Sequence, residues 1–232
     1  MPESVAIVLA VLAGLAAVVV LYVWGLRPRS HRWGATAAEV ARPMPGDELV
    51  PEPKVGYTQA ITIDVPPEAV WPWLVQVGYG RAGWYTYDWV YRLLRANDFY
   101  DGPRSAERII PELQDLAVGD DVRIFEQGPM RVVEAEPERL LVLLARVDTV
   151  TGESFALDGP MPAHYMNQSW AFLVEPFGAD ATRLTVRWRG DYSRDPALAL
   201  ALGIPTEFGA LLMQPAMLRG IKARAETAHK ST

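Results

Sequence analysis

Apolar and polar residues alternate with a period of two through much of the second half of the chain. In Thr182 to Asp191, Leu184, Val186 and Trp188 fall on one side and Arg183, Thr185, Arg187 and Arg189 on the other. That is the pattern of a strand with one face in a core and the other wet or paired with acids. Gln168 to Glu175 alternates Trp170, Phe172 and Val174, and Tyr57 to Val65 places Tyr57, Ile61, Ile63 and Val65 together. Asp121–Glu126, Met130–Glu136 and Leu140–Val147 read as three further strands. Turns at Gln127-Gly128-Pro129 and Pro137-Glu138 give them the spacing of an antiparallel meander. A weaker strand is expected around Thr151 to Leu157, before the break at Gly159-Pro160-Met161-Pro162.

Elsewhere the period lengthens. Pro66-Pro67-Glu68 opens a helix that runs to about Val77, with proline in the first turn and an acid at the positive end. Trp84 to Arg95 predicts a second short helix, Tyr87, Tyr91 and Leu94 on one face and Trp84, Asp88 and Arg92 on another. A short apolar helix is expected at Pro196–Leu202, then a long one from Ile204 to Lys230. Its second half carries a stripe of Met217, Leu218, Ile221 and Ala225, whereas Phe208 to Met213 is apolar nearly all round. A helix apolar all round must be enclosed, so the strands are expected to curl around it.

Ahead of all this, Val5 to Leu26 is an uncharged apolar run. At about 1.5 Å per residue it is long enough to cross a bilayer core of about 30 Å. Tyr22 and Trp24 sit at its end, where interfacial aromatics belong. The residues before it, Met-Pro-Glu-Ser, lack the basic charge of a signal peptide, and the run is long for one. Residues 1–26 therefore read as an uncleaved anchor. Arg27, Arg29 and Arg32 follow directly, which by the positive-inside rule puts the C-terminal part in the cytoplasm of a single-pass membrane protein. Residues 27–56, with Pro43, Pro45, Pro51 and Pro53, read as a juxtamembrane strap containing one short helix near Trp33–Arg42, and residues 57–230 as one domain.

Composition narrows the chemistry. The chain has 232 residues, a net charge of -6 and no cysteine. Disulfides, thiolate nucleophiles and Cys-based metal sites are excluded, and an acidic chain argues against a nucleic-acid partner. His31, His164 and His229 are scattered, no metal or cofactor motif is present, and no hydrolase or phosphate-loop motif occurs. Gly78-Tyr79-Gly80-Arg81-Ala82-Gly83 has dinucleotide-loop spacing, but it follows a helix rather than a strand and precedes Trp84, so it reads as a plain turn.

The order strand, two short helices, antiparallel strands, long C-terminal helix is the helix-grip order. Four stretches, VPPEAVWPWLVQVGYGRAGWYTYDW, SAERIIPELQDLAVGDDVRI, SWAFLVEP with TRLTVRWRGD, and MLRGIKARAE, together resemble a membrane-anchored branch of the SRPBCC superfamily. That superfamily groups START lipid-transfer domains, Bet v 1-like proteins and polyketide cyclases. The resemblance implies an α+β helix-grip fold with a curved antiparallel sheet around the C-terminal helix, and a deep apolar cavity between them. Its members bind lipids, steroids or polyketides and only some are enzymes, so the fold alone does not choose an activity. Trp84, Tyr87, Tyr91, Trp170, Phe172, Trp188, Leu212, Met213 and Met217 are the expected apolar lining; Asp88, His164, Tyr165, Gln168 and Arg187 are the polar candidates. The leading expectation is a membrane-tethered cup for a hydrophobic small molecule. A cyclase or hydratase on a hydrophobic substrate would need two or more ionisable groups converging inside, and an assembly module would show a solid core with a large exposed apolar patch.

Overall fold

A computed structural model describes residues 3–126, 128–156 and 159–230, with residues 3–10 and 15 described by their backbone alone. Six strands form one curved antiparallel sheet: β1 (Val55–Ile63), β2 (Asp121–Arg123), β3 (Pro129–Glu136), β4 (Leu140–Asp148), β5 (Tyr165–Phe177) and β6 (Ala181–Tyr192). Their order is β1-β6-β5-β4-β3-β2. The register sets Trp170 between Leu143 and Trp188, and Phe172 between Leu141 and Val186. Those residues, with Val174 and Leu184, form the concave apolar face.

Three helical stretches meet that face: α4 (Pro67–Val75), α5 (Asp88–Leu93) and the C-terminal helix. The last is continuous from Pro196 to Lys230, as α6 (Pro196–Phe208), a π-helical turn (Gly209–Met213) and α7 (Gln214–Lys230). Met217, Leu218, Ile221 and Ala225 of α7 are all buried against the sheet and α4. The expected separation into two helices does not occur. Pro205 has no N–H to donate to the Ala201 carbonyl, yet the helix continues through it; beside it the Thr206 hydroxyl donates to the Leu202 carbonyl at 2.8 Å.

Two further expectations need correcting. Trp84 to Arg95 is not one helix; only Asp88–Leu93 is helical. The backbone ahead of it bonds a neighbouring loop instead of itself: the Tyr85 N–H donates to Ser105 Oγ at 3.0 Å, and Tyr85 sits at φ 53°. The apolar run Phe208–Met213 is not enclosed either. Phe208 and Leu212 are 43% and 42% exposed, because the sheet grips α7 and the helix overshoots its edge. Near Thr151–Leu157 only an isolated bridge, Val147 with Ser154, is formed; Gln127 and Leu157 lie outside the described residues.

The strap explains why β4 is an unbroken apolar run. Met44 packs with Leu140, Val142, Ala171 and Leu173 on the convex face, so β4 is buried on both sides. Around it the outward arginines are tied down. Arg187 donates to Asp47 at 2.6 Å, to Thr58 at 2.9 Å and to the carbonyls of Glu39, Val40 and Arg42; Arg183 pairs with Glu39 at 2.7 Å. The strap also covers the sheet's open edge: the Thr58 and Ala60 N–H groups of β1 donate to the His31 and Trp33 carbonyls at 2.9 and 3.1 Å.

At the N-terminus, α1 (Glu3–Val20) continues through a π-helical stretch (Leu21–Leu26) into α2 (Arg27–Ser30). Among the described residues, Val11–Ser30 and Pro196–Lys230 are helices long and apolar enough to cross a membrane.

Candidate functional site

Between the sheet and the C-terminal helix lies a cavity of about 590 Å³. Its floor is aromatic and centred on Trp170. That indole stacks on Trp84 at 5.7 Å, meets Trp188 edge-on at 5.4 Å and touches Phe172 at 4.8 Å. The β5–β6 register produces this cluster directly, since Trp170 and Trp188 are cross-strand partners on the concave face. Tyr91 of α5 supplies one wall, braced by Phe99 and Phe125. Met213 and Met217 supply the opposite wall, where flexible thioethers adapt to irregular shapes.

Polar groups in the lining are few and neutral. They come from Tyr57, Tyr91, Thr86, Gln168, Thr206, Gln214 and the three indoles. The Tyr57 hydroxyl lies 3.5 Å from Gln214 Oε1. Burial pushes both tyrosine hydroxyls well above the ordinary phenol range, so at neutral pH they are hydrogen-bonding groups rather than bases. Several lining residues carry buried polar atoms without a partner: the indole nitrogens of Trp84, Trp170 and Trp188, Thr86 Oγ1 and Gln214 Nε2. Among the described residues no Asp, Glu, His, Lys or Arg lines this cavity, and none forms a cluster of groups suited to hold a metal ion.

The expected site residues separate clearly. Trp84, Tyr91, Trp170, Trp188, Met213, Met217 and Gln168 line the cavity. Phe172 is fully buried beneath Trp170 as part of the floor's support. Tyr87 and Leu212 face outward and are exposed. The polar candidates other than Gln168 lie elsewhere. Asp88 accepts from Ser105 Oγ at 2.7 Å and from its N–H at 3.0 Å, clamping the turn that presents Trp84. His164 is exposed in the loop before β5. Tyr165 lies on the convex side and donates to Asp191 at 2.7 Å; burial and that bond push its hydroxyl up to about 12. Arg187 holds the strap.

Reading by sequence missed the rim. Ala201, Ile204 and Phe208 of α6, and Phe125 after β2, line the cavity although they are exposed. The available signal was the uncharged run PALALALGIPT, set aside as a separate short helix. Tyr57 reads from sequence only as a packing position of the first strand, and Gln214 carries no local signal.

No protein-family model and no curated protein matches the chain. It is similar to several solved structures. A hypothetical protein of Helicobacter pylori is 20% identical, with 82% of this chain and 99% of that one covered and a TM-score of 0.42. A Mesorhizobium loti protein is 18% identical over 73% and 97%, with a TM-score of 0.37. Norcoclaurine synthase of Thalictrum flavum, in complex with dopamine and hydroxybenzaldehyde, is 15% identical over 77% and 88%, with a TM-score of 0.40. Likeness of this degree concerns outline and says nothing of ligand or reaction.

Proposed function

We propose that the chain is a membrane-tethered member of the SRPBCC superfamily that binds a neutral, hydrophobic small molecule, such as a lipid, isoprenoid or polyketide-like compound, in the cavity described above. One observation carries the reading. A cavity of about 590 Å³, within the usual ligand-pocket range of roughly 300–1,000 Å³, is walled by aromatic and thioether groups, with no ionisable group charged at neutral pH among its described lining residues. Such a site has nothing to compensate a buried ligand charge. The unpartnered indole N–H groups and the Gln214 amide are donors, which favours a guest carrying an acceptor such as a carbonyl, ester or quinone oxygen. The same lining supports binding over acid–base catalysis, because the only titratable groups there are tyrosines held neutral by burial.

Residues 1–26 serve in this reading as the anchor, 27–56 as the strap and 57–230 as the cup, with the cup on the cytoplasmic side behind Arg27, Arg29 and Arg32. The test is solvent extraction of the purified full chain followed by mass spectrometry. An apolar neutral compound is expected at near-stoichiometric yield, and Trp170→Ala should lower that yield severalfold. Absence of any such compound, together with no saturable change in tryptophan emission on adding quinones, prenols or fatty esters, would count against the proposal.

A further inference from the structure

The rim of the cavity is apolar where a mouth open to water would be polar. Leu94, Phe125, Ala201, Ile204 and Phe208 both line the cavity and are exposed. Beside them Leu200 is 63% and Ile204 61% exposed. No charge occurs in α6 from Pro196 to Thr206. A contiguous apolar rim of this kind marks a surface that is covered in use.

The chain's own N-terminal helix indicates what covers it. The first charge in the C-terminal helix, Glu207, is held by three groups, one at the end of the proposed anchor and two at the start of the strap. The Tyr22 hydroxyl donates to it at 2.7 Å, Arg27 Nε donates at 2.8 Å, and His31 Nε2 lies at 2.8 Å. His31 Nδ1 is fixed in turn against the Gly56 carbonyl at 2.9 Å. Burial works against the Glu207 carboxylate, yet these donors outweigh it and hold its carboxyl below the usual range. Tyr22 sits at the interfacial end of the span. Leu200 lies seven residues from Glu207, so at about 1.5 Å per residue it stands roughly 10 Å along the helix from that level.

We infer that the mouth of the cavity opens onto the bilayer itself: α6 and the rim residues Leu94 and Phe125 dock into the interfacial layer of the membrane that holds the anchor, and the guest passes between lipid and cavity without crossing water. The inference rests on the anchor reading above and adds an orientation to it. The occupant of the apolar face is the lipid surface, because Tyr22 with Arg27 and His31 latches α6 to the end of a membrane-length helix. The outward side chains beside the mouth are apolar, as an interfacial helix requires.

The absence of cysteine in the chain permits single-site labelling. Full-length protein with Leu200→Cys, Ile204→Cys, Trp24→Cys or Asp180→Cys, each carrying an environment-sensitive fluorophore, is reconstituted in phosphatidylcholine–phosphatidylglycerol vesicles with and without doxyl-labelled lipid. Trp24 reports the anchor. Asp180, in the β5–β6 turn, lies about 30 Å along the sheet from Gln168 and serves as the remote control. Expected are blue-shifted, strongly quenched signals at positions 24, 200 and 204 and neither effect at 180. Quenching at 24 but not at 200 or 204 overturns the docking while leaving the anchor intact. No quenching at 24 removes the anchor, and the docking with it.

Discussion

Gly203 and Gly220 both lie within the C-terminal helix, and the same substitution at the two is expected to act in opposite directions. Alanine in place of a helical glycine usually gains about 1 kcal/mol. At Gly203 an added Cβ meets nothing within 4 Å, so the gain should appear in full. At Gly220 the added Cβ would fall 1.9 Å from the Tyr85 carbonyl oxygen and 2.6 Å from Tyr85 Cβ. An ordinary C···O contact is about 3.3 Å, so helix and turn must separate by about 1.4 Å. The obstacle is backbone, pinned through Ser105 and Asp88, so it cannot swing aside. Overpacking of this kind costs about 1–3 kcal/mol, and the upper end applies here. The net loss at Gly220→Ala is then about 2 kcal/mol, or about 4–8 °C in Tm for a domain of this size. Gly203→Ala should raise Tm by about 2–4 °C. Thermal unfolding of the full chain in nanodiscs, followed by near-ultraviolet circular dichroism, distinguishes the two. Because Met217 and Trp84 flank this contact and line the cavity, Gly220→Ala should also lower guest occupancy. A Gly220→Ala protein that melts at or above the parent temperature would refute the close approach of helix and turn.

Three other outcomes are expected. Arg187→Met removes a buried guanidinium from Asp47 and three strap carbonyls; breaking such a pair costs about 3–5 kcal/mol, and adding Asp47→Asn should return part of it in a double-mutant cycle by chemical denaturation. Glu39 is held at about 2, chiefly by Arg183, against an ordinary value of 4.5. Its contribution is complete above pH 4.5 and is lost as pH falls towards 2, so Glu39→Gln should flatten that part of the acid-unfolding curve. Glu207→Gln weakens the latch to Arg27 and His31. Hydrogen exchange at the Thr58 and Ala60 amides, which donate to His31 and Trp33 carbonyls, should quicken about tenfold or more, while exchange at the Trp170 amide stays unchanged.

The sheet was legible because its evidence is local. Alternation in residues 182–191 and 168–175 states which side chains face inward, and Trp170 and Trp188 follow from it, as Met217 follows from the helical stripe it shares with Leu218 and Ile221. The antiparallel order followed from turns too short for crossovers. What escaped depends on partners distant in sequence. Trp84 cannot be kept out of a helix by its own neighbours; Ser105 does that from twenty residues away. Arg187 reads as an outward charge in the strand, and only the strap turns it into a buried one. The apolar turn of the C-terminal helix was expected to be enclosed by the strands because it is apolar nearly all round. Phe208 and Leu212 are exposed all the same, because Met217, Leu218 and Ile221 of the following turns, and not these two, meet the sheet.

That exposure ties cup and anchor together. If α6 served only to cap the cavity, its outer side would be expected to carry the usual polar residues, at no cost to the inner side. Instead Leu200, Ile204 and Phe208 stand exposed along it, and its single acid, Glu207, is paired with Arg27 and His31. A detached cup would have to hold this surface in water, where it invites association. Beside a bilayer, as proposed, the same residues would be favourable, and the latch at Glu207 would set which part of the domain faces lipid. In the proposed orientation tether and mouth form one device: the helix that lines the mouth of the cavity is the helix to which Tyr22 and Arg27 are bonded.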